Sequence, residues 1–157
     1  MPTFDPNDLA KWGRGVWNSA PVDRIRGFSI DTRSLAEGQL FVAIKDKRDG
    51  HEFLEIAQKD GAGGALVSNC DKNLSFPQLL SSDTVGSLQS IAYEYRKTFK
   101  GNVIGITGSC GKTSTKDMLG NFLGSDRTHC TAGNLNNHLG VPLSLLGIEL
   151  NQHKFAV

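Results

Sequence analysis

Short apolar segments alternate with helical periodicities along the chain, and this alternation predicts an α/β fold. Residues 39–44 and 65–68 have the composition of buried strands. Between them, residues 52–60 carry apolar side chains at helical spacing, with Phe53, Ile56 and Ala57 on one face and Gly61 as the stop. Because strands that alternate with helices usually pair in parallel, we expect a sheet with a parallel component.

The N-terminal part of the chain adds two weaker signals to this pattern. Asp5-Pro6 followed by Leu9 and Trp12 predicts a helix with an aspartate cap and a proline in its first turn. Residues 25–30 partly alternate and predict a strand. Residues 69–82 are polar and contain Pro77, so we expect irregular structure and a domain boundary there.

The second half of the chain repeats the alternation of helix and strand. A helical period from Thr84 to Phe99 leads into an apolar strand at residues 103–107. The pattern then predicts a helix, a strand at residues 127–131, a helix at residues 141–146 and a strand from Phe155. The core face of the helix after residue 112 is predicted to be Met118, Leu119, Phe122 and Leu123.

These elements divide the chain into two predicted domains, residues 1–83 and residues 84–157. The second holds only about 74 residues and few strands, which is little for a nucleotide-binding sheet. We therefore expect the chain to be a fragment of a longer protein.

A glycine turn between a strand and a helix carries the strongest chemical signal. The sequence from Thr107 to Ser114 is T-G-S-C-G-K-T-S. Glycines let the backbone approach phosphate oxygens, and the free N–H groups of a helix N-terminus attract an anion. Lys112 is the candidate for the terminal phosphates and Thr113 for a magnesium ion.

The spacing of this turn differs from the common G-x-x-x-x-G-K-[ST] pattern, because the residue five before Gly111 is Ile106. The shorter form T-G-x-x-G-K-T fits. Strand, turn, Lys-Thr and helix occur together, so we predict nucleotide binding rather than an ordinary turn.

Composition excludes several other classes of function. Seventeen Lys and Arg nearly balance sixteen Asp and Glu, so no basic field is available for nucleic acid or anionic lipid. No apolar run reaches the roughly 20 residues of a membrane span, and the N-terminus does not have the pattern of a signal peptide. Three widely spaced cysteines predict free thiols in a reducing cytoplasm.

Four motifs in order resemble the Mur ligases, which build the peptide of the cell-wall precursor. The phosphate loop at residues 107–114 is similar to their ATP loop. Asp31-Thr32-Arg33 with residues 38–43 resembles D-[ST]-R…G-[DQ]-L-F-V-A, and residues 49–53 resemble D-G-H-x-F. Residues 131–142 are similar to T-x-x-N-x-N-N-x-x-G-x-P. The last three motifs indicate the branch that uses D-alanyl-D-alanine.

The resemblance implies a small N-terminal UDP-binding α/β domain followed by an incomplete P-loop α/β domain. It implies an ATP- and Mg²⁺-dependent ligase that joins D-alanyl-D-alanine to UDP-N-acetylmuramoyl-tripeptide through an acyl phosphate. It places ATP on Gly108, Ser109, Cys110, Gly111, Lys112, Thr113 and Ser114, with Lys112 and Thr113 as catalytic residues and Thr113 on the metal. It places the muramyl substrate near Thr32, Arg33, His51, Asn134, Asn136, Asn137 and His138.

The residues outside the phosphate loop also have ordinary structural interpretations. Asp31-Thr32-Arg33 could be a turn with a solvated arginine, His51 a plain loop histidine, and the asparagines a helix-capping turn. At the level of the protein, the alternatives are a related ligase such as a folylpolyglutamate synthase, and a non-catalytic UDP-sugar or nucleotide-binding module. We expect a cytoplasmic monomer, and a chain that does not catalyse ligation by itself.

Overall fold

The computed structural model describes residues 1–21, 23–133 and 135–157, and within them helices and short strands alternate as predicted. The α-helices are Pro6–Gly13 (α1), Leu54–Lys59 (α2), Thr84–Thr98 (α3), Lys112–Leu123 (α4) and Gly140–Leu146 (α5). The strands are Val16–Trp17 (β1), Phe28–Ser29 (β2), Leu40–Val42 (β3), Gly64–Val67 (β4), Gln78–Leu80 (β5), Asn102–Val103 (β6), Thr128–His129 (β7) and Phe155–Ala156 (β8). The expectation of a mixed α/β fold with parallel pairing is confirmed.

The first sheet has the strand order β1-β5-β4-β3-β2, with β2 to β5 parallel and β1 antiparallel at one edge. Every residue of β3 and β4 is buried. Successive side chains of a strand point to opposite faces, and Leu40 and Leu66 accordingly join one apolar cluster while Phe41 and Ala65 join another. The sheet is therefore covered on both faces, as parallel sheets are.

The prediction of irregular structure over residues 69–82 is wrong at β5. Gln78 is fully buried in this strand, although its side chain is polar. Its amide accepts from the Asp71 N–H and donates to the Asp71 carbonyl, both at 2.8 Å. The side chain thus pairs with a backbone peptide as a neighbouring strand would, which removes the cost of burying it.

Helix α3 lies between the two halves of the chain and packs against both α1 and α5. The Asp83 carboxylate caps its N-terminus by accepting from the Gly86 N–H at 2.9 Å. Its buried face, which includes Leu88 and Ile91, belongs to one apolar cluster that extends from Phe4 to Ala156. The strands before and after residue 83 form separate sheets, but residues of both sheets belong to the same apolar cluster as this helix.

The second sheet has the order β6-β8-β7 and is parallel throughout. The strand predicted at residues 103–107 is confined to β6, and Val103 is 40% exposed rather than buried. β6 is an edge strand among the described residues, so only one of its sides is paired.

The prediction of a core face on α4 is wrong for Met118 and Phe122, which are 71% and 85% exposed. The helix turns another side towards β7, where Gly120 is buried. A Cβ at Gly120 would collide with the Cys130 Sγ. Helix and strand approach each other through this glycine, and the larger apolar side chains point away from the contact.

None of the helices formed by residues 1–21, 23–133 and 135–157 is long and apolar enough to cross a membrane.

Candidate nucleotide-binding site

The predicted phosphate loop connects the end of β6 to the start of α4. Gly108 and Gly111 both have positive φ, +152° and +78°, which side-chain-bearing residues rarely adopt. Gly111 is the N-cap of α4 and supplies no side chain to the free N–H groups of the first turn. These groups and the positive end of the helix dipole are suited to an anion.

Lys112 and Thr113 open this helix, and both line the cavity beside it. The Lys112 ammonium donates to the Gly108 carbonyl and so bridges the two ends of the turn. The Thr113 hydroxyl forms no hydrogen bond with the residues that the structure describes. Ser109, Cys110 and Ser114 are exposed around the same turn.

A cavity of about 330 Å³ lies between this loop, α5 and the carboxyl ends of β7 and β8. Its wall is mostly aliphatic, with lysine, threonine and asparagine side chains at the loop. The lining residues are Val103, Ile104, Gly105, Ile106, Lys112, Thr113, Lys116, His129, Thr131, Gly133, Leu135, Asn136, Val141, Ser144, Leu145, Ile148, Ala156 and Val157.

The asparagine segment reaches this cavity through Asn136, which is exposed and lines the wall. Asn137 caps α5 instead, because its Oδ1 accepts from the N–H groups of Leu139 and Gly140 at 3.1 and 2.7 Å. His138 is exposed, and its carbonyl accepts from Gln89 of α3 at 3.1 Å. Asn134, the first asparagine of the motif, lies outside the described residues.

Thr32 and Arg33 follow β2 at the carboxyl edge of the first sheet. The Asp31 carboxylate caps the short 3₁₀ turn Thr32–Ser34 and also binds the Arg33 guanidinium through Nε at 2.9 Å and Nη2 at 2.6 Å. The Arg33 side-chain bond, followed by its backbone bond, lowers the pKa of Asp31. The predicted turn is present, with an arginine that remains largely exposed.

His51 lies at the same edge and holds two loops together. Its Nε2 accepts from the Ser68 N–H at 2.9 Å, so the proton of a neutral ring is on Nδ1, which lies 2.6 Å from the Asp49 carboxylate. The His51 backbone N–H, followed by its side chain, lowers the pKa of Asp49. Both ring nitrogens therefore have protein partners.

The structure thus separates the predicted site residues into two groups. Lys112, Thr113 and Asn136 meet at one cavity, whereas Thr32, Arg33 and His51 do not line it. The second group lies where strands of a parallel sheet end, which is the usual ligand-binding edge of such sheets.

Four polar residues of the cavity wall were not predicted from the sequence, namely Lys116, His129, Thr131 and Ser144. Lys116 follows Lys112 by four residues, and this spacing puts both side chains on one face of a helix. Lys116 could therefore have been predicted from the sequence to lie on the same side of α4 as Lys112. Burial, followed by the nearby His153, lowers the pKa of His129.

A strand, a glycine turn and a helix that opens on Lys-Thr define a P-loop type of nucleotide-binding α/β protein. Residues 106–157 match the Mur ligase middle domain family. Together with the similarity to individual relatives, this match confirms the resemblance, and the chain belongs to the Mur ligase family.

Several curated relatives and solved structures that resemble this chain are ligases that use D-alanyl-D-alanine. The UDP-N-acetylmuramoyl-tripeptide–D-alanyl-D-alanine ligase of Bacillus subtilis is 43% identical over 133 residues, which are 81% of this chain and 29% of that protein. A crystal structure of MurF from Acinetobacter baumannii superposes with a TM-score of 0.90 at 33% identity and covers 100% of this chain and 35% of its own. MurF ligase from Thermotoga maritima, solved in complex with ADP, gives 0.69 at 36% identity over 84% of this chain and 31% of its own. This chain therefore spans about a third of the length of these relatives.

Proposed function

We propose that this chain is part of an ATP-dependent ligase that joins D-alanyl-D-alanine to UDP-N-acetylmuramoyl-tripeptide. The observation that carries the proposal is the phosphate loop, with Lys112 and Thr113 at the N-terminus of α4 and at the wall of the cavity. The 43% identity to a ligase of this activity supports the choice of substrates.

The chemistry joins a carboxylate to an amine, and a carboxylate is a poor electrophile until it is activated. An oxygen of the tripeptide carboxylate attacks the γ-phosphorus of ATP, which yields an acyl phosphate and ADP. The amine of D-alanyl-D-alanine then attacks the acyl carbon, loses a proton and expels inorganic phosphate as the amide forms. The protein must align the carboxylate with the γ-phosphate and offset their negative charges.

The loop residues fit the phosphate-binding part of this task. Gly108, Gly111 and the first turn of α4 offer backbone N–H groups, and a phosphate oxygen can compete with the Gly108 carbonyl for the Lys112 ammonium. Ser109, Cys110 and Ser114 complete the rim of the loop.

The Thr113 hydroxyl has the chemistry of a Mg²⁺ ligand and no hydrogen-bond partner among the described residues. Among residues 1–21, 23–133 and 135–157 there is no cluster of three or more His, Cys, Asp or Glu side chains that could hold a metal ion. Thr113 is the residue of this chain that would hold the ion, and the ion would supply positive charge beside the phosphates.

The muramyl substrate is proposed to extend between the two groups of polar residues. Thr32, Arg33 and His51 would hold its UDP end at the carboxyl edge of the first sheet. Asn136 would contact its peptide end at the cavity. Asn134, Asn137 and His138 are proposed as further substrate contacts from the sequence motif alone, and Asn137 would make its contact in addition to capping α5. Under this proposal residues 1–83 form the UDP-binding domain and residues 84–157 belong to the ATP-binding domain.

The same proposal makes the protein a cytoplasmic monomer that acts on small molecules rather than on nucleic acid or lipid. The near balance of basic and acidic residues supports the exclusion of nucleic acid and anionic lipid as partners.

Ligand titration by calorimetry tests the function. We expect the chain to bind UDP-N-acetylmuramoyl-tripeptide and ATP, and folates not to compete with the muramyl ligand. Lys112→Ala should weaken ATP binding by about tenfold or more and leave muramyl binding intact, and the exposed Lys59→Ala is the matched control. Folate competition, or binding of neither ligand, would contradict the proposal.

A further inference from the structure

Lys116 is a charged side chain held largely away from solvent on the inner face of α4. Its side chain is 17% exposed, and its ammonium donates to the Thr131 carbonyl at 2.8 Å. The Asp117 carboxylate lies 3.4 Å from the same ammonium. Enclosing an ammonium is costly unless it is paired, so this position is maintained by specific partners.

Thr131, the residue that Lys116 contacts, joins three elements at the start of the asparagine segment. Its backbone N–H and its hydroxyl reach the Val157 carbonyl at the end of β8, at 2.8 and 3.0 Å. Its Oγ1 lies 2.9 Å from the Ser144 hydroxyl of α5. Since the single Thr131 hydroxyl proton goes to a carbonyl, Ser144 is the donor in this pair.

The bond from Lys116 is the one side-chain hydrogen bond found, among the described residues, between α4 and residues 131–139. At the other end of this segment, Asn137 is fixed to the start of α5. Asn136 lies between these two anchors and lines the cavity together with Lys112 and Lys116. The helix that opens on the phosphate loop is therefore tied to the segment that carries Asn136.

We propose that Lys116 is a positioning residue, which holds the Asn136 segment in register with the phosphate loop by fixing the Thr131 carbonyl to α4. The proposal rests on the proposed function, because it assumes that the phosphate loop binds ATP and that the Asn136 segment contacts the muramyl substrate. These two ligands must meet for the reaction to occur. A loss of this tie leaves the phosphate contacts of Lys112 in place and lets the Asn136 segment move away from them.

Three variants test the proposal on the full chain. Lys116→Met keeps the apolar stem and removes the ammonium, Lys116→Arg restores a cationic donor, and Lys59→Met on the exposed end of α2 is the control. The readouts are amide hydrogen exchange of residues 131–139, the ATP affinity, and the affinity for UDP-N-acetylmuramoyl-tripeptide when a non-hydrolysable ATP analogue is saturating.

For Lys116→Met we expect exchange in residues 131–139 to accelerate about tenfold, since a hydrogen bond to a charged donor is lost. ATP affinity should change less than about threefold, while muramyl affinity in the nucleotide-saturated chain should fall about tenfold, within the usual range of coupling between sites. Lys116→Arg should recover most of both effects, and Lys59→Met should show neither.

Two results would overturn the proposal. Unchanged exchange in Lys116→Met would show that the segment does not depend on the ammonium. A loss of ATP affinity larger than the loss of muramyl affinity would make Lys116 a direct phosphate ligand. A wild-type chain that binds no ATP would instead refute the proposed function, while the exchange comparison would still report on the tie.

Discussion

The two sheets of this chain differ in how completely they are enclosed. In the first, all residues of β3 and β4 are buried between two apolar clusters. In the second, both residues of β6 are exposed, and α4 presents Met118 and Phe122 to solvent. The fully buried strands β3 and β4 belong to the first sheet, whereas the phosphate loop follows a strand of the second sheet.

Because of this difference, we expect that some substitutions change the stability of the chain without changing nucleotide binding, and that others do the reverse. Side chains buried on both faces determine whether the first sheet forms. The loop depends on glycine conformation and on the end of a helix, which need few apolar contacts. Four predictions test this contrast, from its largest consequence to its smallest.

The largest effect should come from truncating an aliphatic core residue of the first sheet. Leu66→Ala removes a fully buried side chain from the centre of β4. We expect a loss of about 2–5 kcal/mol in the free energy of unfolding, from lost transfer energy and a residual cavity. Urea denaturation gives the value. The matched change Phe122→Ala should cost less than about 0.5 kcal/mol, as for exposed positions. Equal costs would show that the exposed face of α4 is buried in solution.

A smaller effect is expected where α4 contacts β7. Gly120→Ala gains about 1 kcal/mol of helix propensity but places a Cβ against the Cys130 sulfur. Overpacking of this kind costs about 1–3 kcal/mol, so we expect net destabilisation in denaturant unfolding.

A double-mutant cycle with Cys130→Ala checks the cause of this effect. Without the sulfur, Gly120→Ala should become neutral or stabilising. If the cost of Gly120→Ala is the same in both backgrounds, the close contact of helix and strand is not its origin.

The third prediction separates capping from ligand binding within the asparagine segment. Asn137→Ala removes the acceptor for two N–H groups at the start of α5 and should cost about 1 kcal/mol of stability. Asn136→Ala should leave thermal stability nearly unchanged, because its side chain is exposed, and should weaken muramyl binding. If instead Asn136→Ala lowers stability and Asn137→Ala weakens only muramyl binding, the two asparagines have the opposite roles.

The smallest effect should appear as a pH dependence of stability. The pKa of His129 is lowered in the folded chain by burial and then by His153. The contribution of neutral His129 to the free energy of unfolding is therefore complete above the ordinary histidine pKa of about 6.5. It is lost as the pH falls below that value, because His129 binds a proton more readily in the unfolded chain than in the folded one. Stability measured from pH 7.5 to pH 5.5 should decline, and His129→Gln should flatten this slope. Asp31, Asp49 and Glu149, whose pKa values are also lowered, lose their contributions only at more acidic pH.

The parts of the fold that follow from local pattern were predictable from the sequence. The alternation of strands and helices, the aspartate cap of α1 at Asp5 and the loop between β6 and α4 all rest on short-range signals. β5 was missed because Gln78 is polar, and its burial depends on a pairing with Asp71 that only the folded chain shows. Met118 and Phe122 were assigned to a core because helical period identifies an apolar face but not what covers it.

The candidate site was predictable to a similar degree. Lys112 and Thr113 belong to a contiguous motif, so their meeting at a cavity follows from the loop itself. The spacing of four residues from Lys112 places Lys116 on the same helix face, but no spacing in the sequence reveals that Lys116 and Ser144 both contact Thr131. The role of Asn137 as a cap was one of two open interpretations, and its hydrogen bonds support that role.

The most direct test of the central claim is a calorimetric titration of the chain with ADP and with adenosine in the presence of Mg²⁺. If residues 108–114 bind phosphate, ADP should bind and adenosine should bind much more weakly. Lys112→Ala should then weaken ADP binding by about tenfold or more, the usual consequence of losing a charged hydrogen bond, while Lys59→Ala should not. Equal ADP affinity in the wild type and in Lys112→Ala would contradict the account.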